Sequence, residues 1–140
     1  MSEMLKGKVR IEVPFLPPVE CSPNWRGRWP ARYKAGRLYH SAAFYCCVDA
    51  RNRGYREGLS FPLVKAKLKL TVVFAEPRLR DEDNLIARFK PGLDAVVDSG
   101  LLLADDVEHL EIGEVEIVVD PDRAPLTIIE LEEIKKLEEE

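Results

Sequence analysis

The chain has 140 residues, 46% of them apolar and 33% charged, enough for a single domain with a real hydrophobic core. No apolar run approaches the roughly 20 residues that span a bilayer. Met1-Ser-Glu-Met-Leu-Lys6 lacks the apolar core and small-residue cleavage site of a signal peptide, so a cytoplasmic protein with no membrane partner is expected.

The net charge of −4 hides an asymmetry. Residues 1–60 carry eleven Lys and Arg against five Asp and Glu, whereas residues 61–140 carry ten against twenty. Part of the acidic excess lies at 130–140, which reads as an acidic tail after a domain of residues 1–129. A solvated acidic tail masks a basic face in the net figure. Cys21, Cys46 and Cys47 show neither CxxC nor a Cys/His zinc spacing, so reduced, structural thiols are expected.

In chain order, Val9, Ile11 and Val13 alternate with polar residues and predict a strand over 8–14. The prolines after Phe15 end it. Pro23, Gly27, Pro30 and Gly36 mark 19–39 as a long ordered loop, the kind that often carries function. It holds Arg26, Arg28, Arg32, Lys34 and Arg37 interleaved with Trp25, Trp29, Tyr33 and Tyr39. Such a mixture suits DNA, with cations on phosphates and an aromatic on a splayed base.

Residues 41–57 favour helix, closed by Gly58. Residues 63–75 form the clearest strand, with Ala66, Leu68, Leu70, Val72 and Phe74 on one face and Lys65, Lys67 and Lys69 on the other, solvated face. A second helix is predicted from Asp83, as N-cap, to Ser99, with Gly100 beyond its end and Pro91 as a kink or a restart. Its apolar stripe is Leu85, Ile86, Phe89, Leu93, Val96 and Val97. Residues 108–119 alternate again, with Gly113 as a bulge, and 126–131 form a last strand or the start of a helix. These elements make an α+β domain with a small mixed or antiparallel sheet and two main helices.

The chemistry concentrates around Asp81-Glu-Asp83-Asn-Leu85 and Asp105-Asp106. Crowded carboxylates repel unless a cation neutralises them. Mg²⁺, with Mn²⁺ as a substitute, accepts two or three carboxylates together with phosphate oxygens. On a straight helix Asp83, Lys90 and Asp94 would share the face opposite the apolar stripe, with Lys90 and Asp94 as an i,i+4 pair. Arg78, Arg80 and Arg88 flank the cluster and suit neighbouring phosphates. An EF-hand needs oxygen and Gly where Leu85 and Ile86 stand. Walker and GxGxxG sequences are missing. His40 and His109 lack a sequence companion for a triad or metal set, and both read as surface or structural residues.

Arg80-Asp-Glu-Asp-Asn-Leu85, then Lys90-Pro-Gly-Leu-Asp-Ala-Val-Val-Asp-Ser-Gly100, then Ala104-Asp-Asp106, resembles the RusA family of Holliday-junction resolvases. The opening strand that ends at Pro17-Pro18, and the Ser22-Pro-Asn24 loop, are similar as well. The close match spans about residues 78–106. The resemblance implies a RusA-like fold and a homodimeric, Mg²⁺-dependent endodeoxyribonuclease that nicks four-way junctions at two symmetric places. It implies Asp81, Asp83 and Asp106 as metal ligands, Asp105 as helper or substitute, and Lys90 as the phosphate-stabilising cation. The chain departs from the pattern in a longer interval between Asp83 and Asp94 and in Pro91 after Lys90, which leaves Arg88 as a rival cation. A branched-DNA-binding protein without cleavage activity is the alternative from another class.

Overall fold

The computed structural model describes residues 7–77 and 82–135. The alternation at the start of the chain becomes β1 (Lys8–Val13), which buries Val9, Ile11 and Val13. A short 3₁₀ turn at Val19–Cys21 follows, and α1 then runs from Trp29 to Arg56. The helix therefore takes in half of the segment expected to be loop. Pro30 lies in its first turn, where the missing N–H costs nothing. Gly36 sits where the helix passes Cys21 and Pro91, so a small residue suits the packing. The buried face of α1 is Tyr39, Ala43, Cys47, Ala50 and Gly54, a stripe at helical spacing made mostly of small residues.

β2 (Ala66–Phe74) is the strand anticipated from its alternation. After it, Pro91 does start a new helix: α2 (Glu82–Arg88) ends and α3 (Lys90–Asp98) begins beyond Phe89. The single helix expected over 83–99 is thus two. Asp83 lies in the first turn of α2 instead of serving as N-cap. Gly100 follows α3 with a φ of +88°, the left-handed conformation that terminates helices. Arg51 of α1 donates to the Ser99 carbonyl at 2.7 Å, placing a cation at the negative end of α3.

β3 (Leu110–Val119) and β4 (Leu126–Glu133) complete a four-stranded mixed sheet in the order β1-β4-β2-β3. β4 pairs antiparallel with both β1 and β2, while β2 and β3 are parallel and joined through α2 and α3. Their register shifts between Leu68 and Leu70, opposite Ile112 and Val115, so Gly113 does lie in a bulge. β4 reaches Glu133, so the first residues of the supposed tail belong to an interior strand. The domain is α+β with three helices where two main ones were expected.

One face of the sheet carries Ile11, Leu70, Ile129 and Leu131, which share a core with Tyr39, Ala43 and Cys47 of α1 and Ala95 and Val96 of α3. The opposite face is divided: one part is a charge ladder, in which Lys67 approaches Glu111, Lys69 approaches Glu114 and Glu116, and Arg10 approaches Glu130, and the other is a small apolar cluster of Val73, Leu126 and Ile128. Much of the acidic excess is therefore spread over the back of the sheet. Among the described residues no helix is long and apolar enough to cross a membrane.

Tyr39 ties α1 to the sheet through a buried relay. Its hydroxyl donates to Thr127 Oγ1 at 2.9 Å, and Thr127 donates to the Phe15 carbonyl at 2.7 Å. Tyr39→Phe is expected to cost about 1 kcal/mol, because Thr127 keeps its acceptor. Tyr39→Ala is expected to cost about 3–5 kcal/mol by opening a cavity. Urea melts of the two variants check the ratio.

Burial raises the Cys47 thiol from its ordinary 9.0 to about 12. The unfolded chain loses that proton first, so the stabilisation is complete below pH 9.0 and is lost as pH rises toward about 12. Urea midpoints measured at about pH 8 and about pH 10.5 are expected to fall with pH, and Cys47→Ala is expected to lessen the fall.

Candidate active site

Gly100 turns the chain back after α3, and Leu102 bridges to Leu63. This return brings the Ala104–His109 turn beside the start of α3. Lys90 Nζ lies 2.8 Å from Asp94 Oδ1 and 2.9 Å from Asp105 Oδ2. The Asp94 bond follows from i,i+4 spacing; the Asp105 bond exists only because the chain folds back. Asp94 first, then Asp105, raises the affinity of Lys90 for its proton, so the ammonium is held charged.

Asp106 faces another way. Its Oδ1 accepts from the backbone N–H groups of Glu108 and His109, each at 3.1 Å, and lies 2.6 Å from His109 Nδ1. The His109 contact is the main cause of a lowered Asp106 pKa, with the backbone donors adding to it. Asp106 is thus an oriented, ionised carboxylate. Its other oxygen has no partner among the described residues.

His109 is the residue that sequence reasoning missed. Its signal is the spacing of a His three residues after an Asp, which is neither a triad nor a metal-ligand pattern. His40 pairs instead with Asp98 at 2.8 Å and stacks on Phe44, in keeping with a structural role.

Asp83 is exposed in the first turn of α2, and α2 packs beside β3, the strand that opens just after the Asp105–His109 turn. Asn84, its neighbour, buries an amide oxygen with no hydrogen-bond partner among the described residues. A buried acceptor in that state costs about 1–3 kcal/mol unless a donor reaches it. Asp81, Arg78 and Arg80 lie outside the described residues. Among the described residues no group of three His, Cys, Asp or Glu side chains forms a metal cluster. The oriented Asp106 offers a carboxylate oxygen of the kind a hard divalent cation accepts.

Two of the expected DNA-facing arginines have other work. Arg88 donates through Nε and Nη2 to the Pro17 carbonyl, at 3.2 and 2.6 Å. Arg32 donates to the carbonyls of Glu20 at 2.9 Å and Ser22 at 2.5 Å. Arg32 thereby ties the 3₁₀ segment to α1, and Arg88 ties the chain just before that segment to α2. Arg26, Arg28, Lys34 and Arg37 are exposed.

No family model matches the chain. A protein of Xylella fastidiosa, described as an uncharacterized protein, is 37% identical to it over 115 residues, covering 74% of this chain and 71% of that protein.

Proposed function

We propose that this chain, which belongs to the same family as the Xylella fastidiosa protein, is a divalent-metal-dependent endodeoxyribonuclease of the RusA type. In this reading it resolves four-way DNA junctions by paired nicks. The observation that carries the reading is the Lys90 ammonium held by Asp94 and by Asp105, whose sequence neighbour Asp106 is separately oriented by His109. These groups fall in the spacing that resembles the resolvase motif.

Mg²⁺, or Mn²⁺ in its place, would activate a water at neutral pH and offset charge on the leaving oxygen. Asp83 and Asp106, with Asp81, would hold the ion. Lys90 stays protonated and places its charge against the phosphoryl oxygens as negative charge builds in the transition state. The attacking water forms a new P–O bond, one P–O bond of the backbone breaks, and the departing oxygen takes up a proton. A junction has approximate two-fold symmetry, so a two-fold homodimer supplies one such site for each of two cuts.

The distribution of charge supports a DNA partner. Between Cys21 and Val48 the chain has no Asp or Glu, whereas glutamates crowd the opposite sheet face. A junction approaching the α1 side meets cations, and the acidic back turns away from it.

A second reading, a branched-DNA-binding protein that does not cleave, draws on one observation: Asp94 and Asp105 already have a cationic partner in Lys90. One assay separates the two. Purified protein is incubated with a synthetic four-way junction or a matched linear duplex, in Mg²⁺, Mn²⁺ or EDTA. The nuclease reading expects symmetric nicks in the junction with either metal and none in EDTA. Binding without nicks under every condition selects the second reading.

A further inference from the structure

The first turns of α1 carry an aromatic ladder. Trp29 and Tyr33, one turn apart, stack with ring centroids 5.1 Å apart and planes 17° from parallel. Arg37, one turn further, lies over the Tyr33 ring at 5.7 Å. Neither aromatic is used by the core: Trp29 is 67% exposed and Tyr33 51%. Large apolar rings left in water at successive turns of one helix mark a contact surface, since burying them elsewhere would stabilise the chain.

Charge selects the occupant. Arg26, Arg28, Lys34 and Arg37 are exposed around the ladder, and the nearest acidic residues of the same segment are Glu20 and Asp49. Beside Tyr33 a groove runs between α1 and α3, lined by Arg32, Gly36, Arg37, His40, Pro91 and Asp94. The carboxylate of Asp94 there is paired with Lys90, and that of Asp98 with His40. The groove thus joins the ladder to the candidate active site through Asp94 and Lys90. An intact duplex hides its base faces within the stack. An unpaired stretch of strand offers both phosphates for the cations and bare base faces for the rings.

We infer that the Trp29–Tyr33–Arg37 ladder is a stacking platform for an unpaired nucleotide of a DNA strand, beside the groove that leads to Lys90. The inference rests on the reading of this chain as a DNA-acting protein, and it adds a preference for unpaired over duplex DNA that resides in α1.

The test measures binding by the full chain in EDTA, where the nuclease reading allows no cleavage. Fluorescence anisotropy compares a labelled oligothymidylate with a blunt duplex across a salt series. Wild type is expected to bind the oligothymidylate, and W29A/Y33A to bind it roughly ten-fold or more weakly with an unchanged salt slope. W29F/Y33F is expected to keep most of the affinity, and the duplex affinity of all three proteins to stay equal. Four results overturn the platform: no binding of the oligothymidylate by wild type, no loss in W29A/Y33A, an equal loss on both probes, or a changed oligomeric mass in W29A/Y33A, which would make the ladder a contact between copies. Junction nicking without a stacking loss removes this inference alone. A stacking loss without metal-dependent nicking keeps it and removes the nuclease reading.

Discussion

Asp83→Asn is expected to lower Mg²⁺-dependent nicking of a four-way junction by roughly three orders of magnitude, while binding of the same junction persists or tightens. The size follows from the chemistry: a bound cation contributes several kcal/mol of transition-state stabilisation, and each 1.36 kcal/mol is about ten-fold in rate. The retained affinity follows from charge, because removing a carboxylate removes repulsion toward phosphate. The fold is expected to survive, since Asp83 is exposed on a helix whose core contact is Leu85. Single-turnover cleavage and gel-shift measurements on one protein preparation check both halves. Equal cleavage by variant and wild type defeats the metal assignment. A parallel loss of binding and cleavage points to damage to the surface as a whole.

The second large effect separates Lys90 from Arg88, a choice the motif alone leaves open. Lys90→Ala is expected to slow junction nicking by roughly 10²- to 10³-fold, the loss found when one preorganised donor to a developing charge is removed. Little change in thermal midpoint is expected, because the Lys90 side chain is 59% exposed and surface ion pairs contribute about 0–1 kcal/mol. Arg88→Ala is expected to do the reverse. It removes two hydrogen bonds to the buried Pro17 carbonyl, so stability falls by about 1–3 kcal/mol, and cleavage falls only as far as the loop on which Pro17 lies is displaced. Thermal melts set beside cleavage rates decide the matter. A Lys90→Ala protein with unchanged cleavage would transfer the role away from Lys90.

The Asp105–Asp106 pair divides its labour in a way the two letters conceal. Adjacent carboxylates repel, and each is offset by a different partner: Asp105 by Lys90, and Asp106 by His109 with two backbone N–H groups. Asp105 thus holds the Lys90 ammonium, while Asp106 is oriented by His109 and the backbone; in the proposed nuclease Asp106 would be the ligand to the cation. The resemblance implies Asp105 as helper or substitute for Asp106; in the structure its carboxylate is bonded to Lys90.

The period-two strands were legible because large apolar residues recur at every second position, Val9, Ile11 and Val13 in β1 and Leu68, Leu70 and Val72 in β2, although the end of β2 is buried on both faces. The first half of α1 was not. Tyr39 is its buried residue, which leaves no apolar periodicity to read, and Pro30 and Gly36 read locally as breakers. Pro91 was legible as an interruption, yet whether it kinks or restarts a helix depends on how α3 packs against α1. The roles of Arg32 and Arg88 were illegible for a similar reason. An Arg looks the same in sequence whether it meets a phosphate or a backbone carbonyl ten or seventy-one residues away.

By itself the sequence determined the inventory: an α+β chain with a carboxylate motif at Asp81–Asp83, a second at Asp105-Asp106, a lysine between them and a basic, aromatic segment before them. These are local properties, written in residue type and spacing. The tertiary structure alone decided the pairings. Lys90 meets Asp105 across fifteen residues of chain, Tyr39 meets Thr127 across eighty-eight, and the parallel β2–β3 register follows from a crossover through two helices. The physical reason is that such contacts are selected by packing the whole core at once, and no short window of sequence contains both partners.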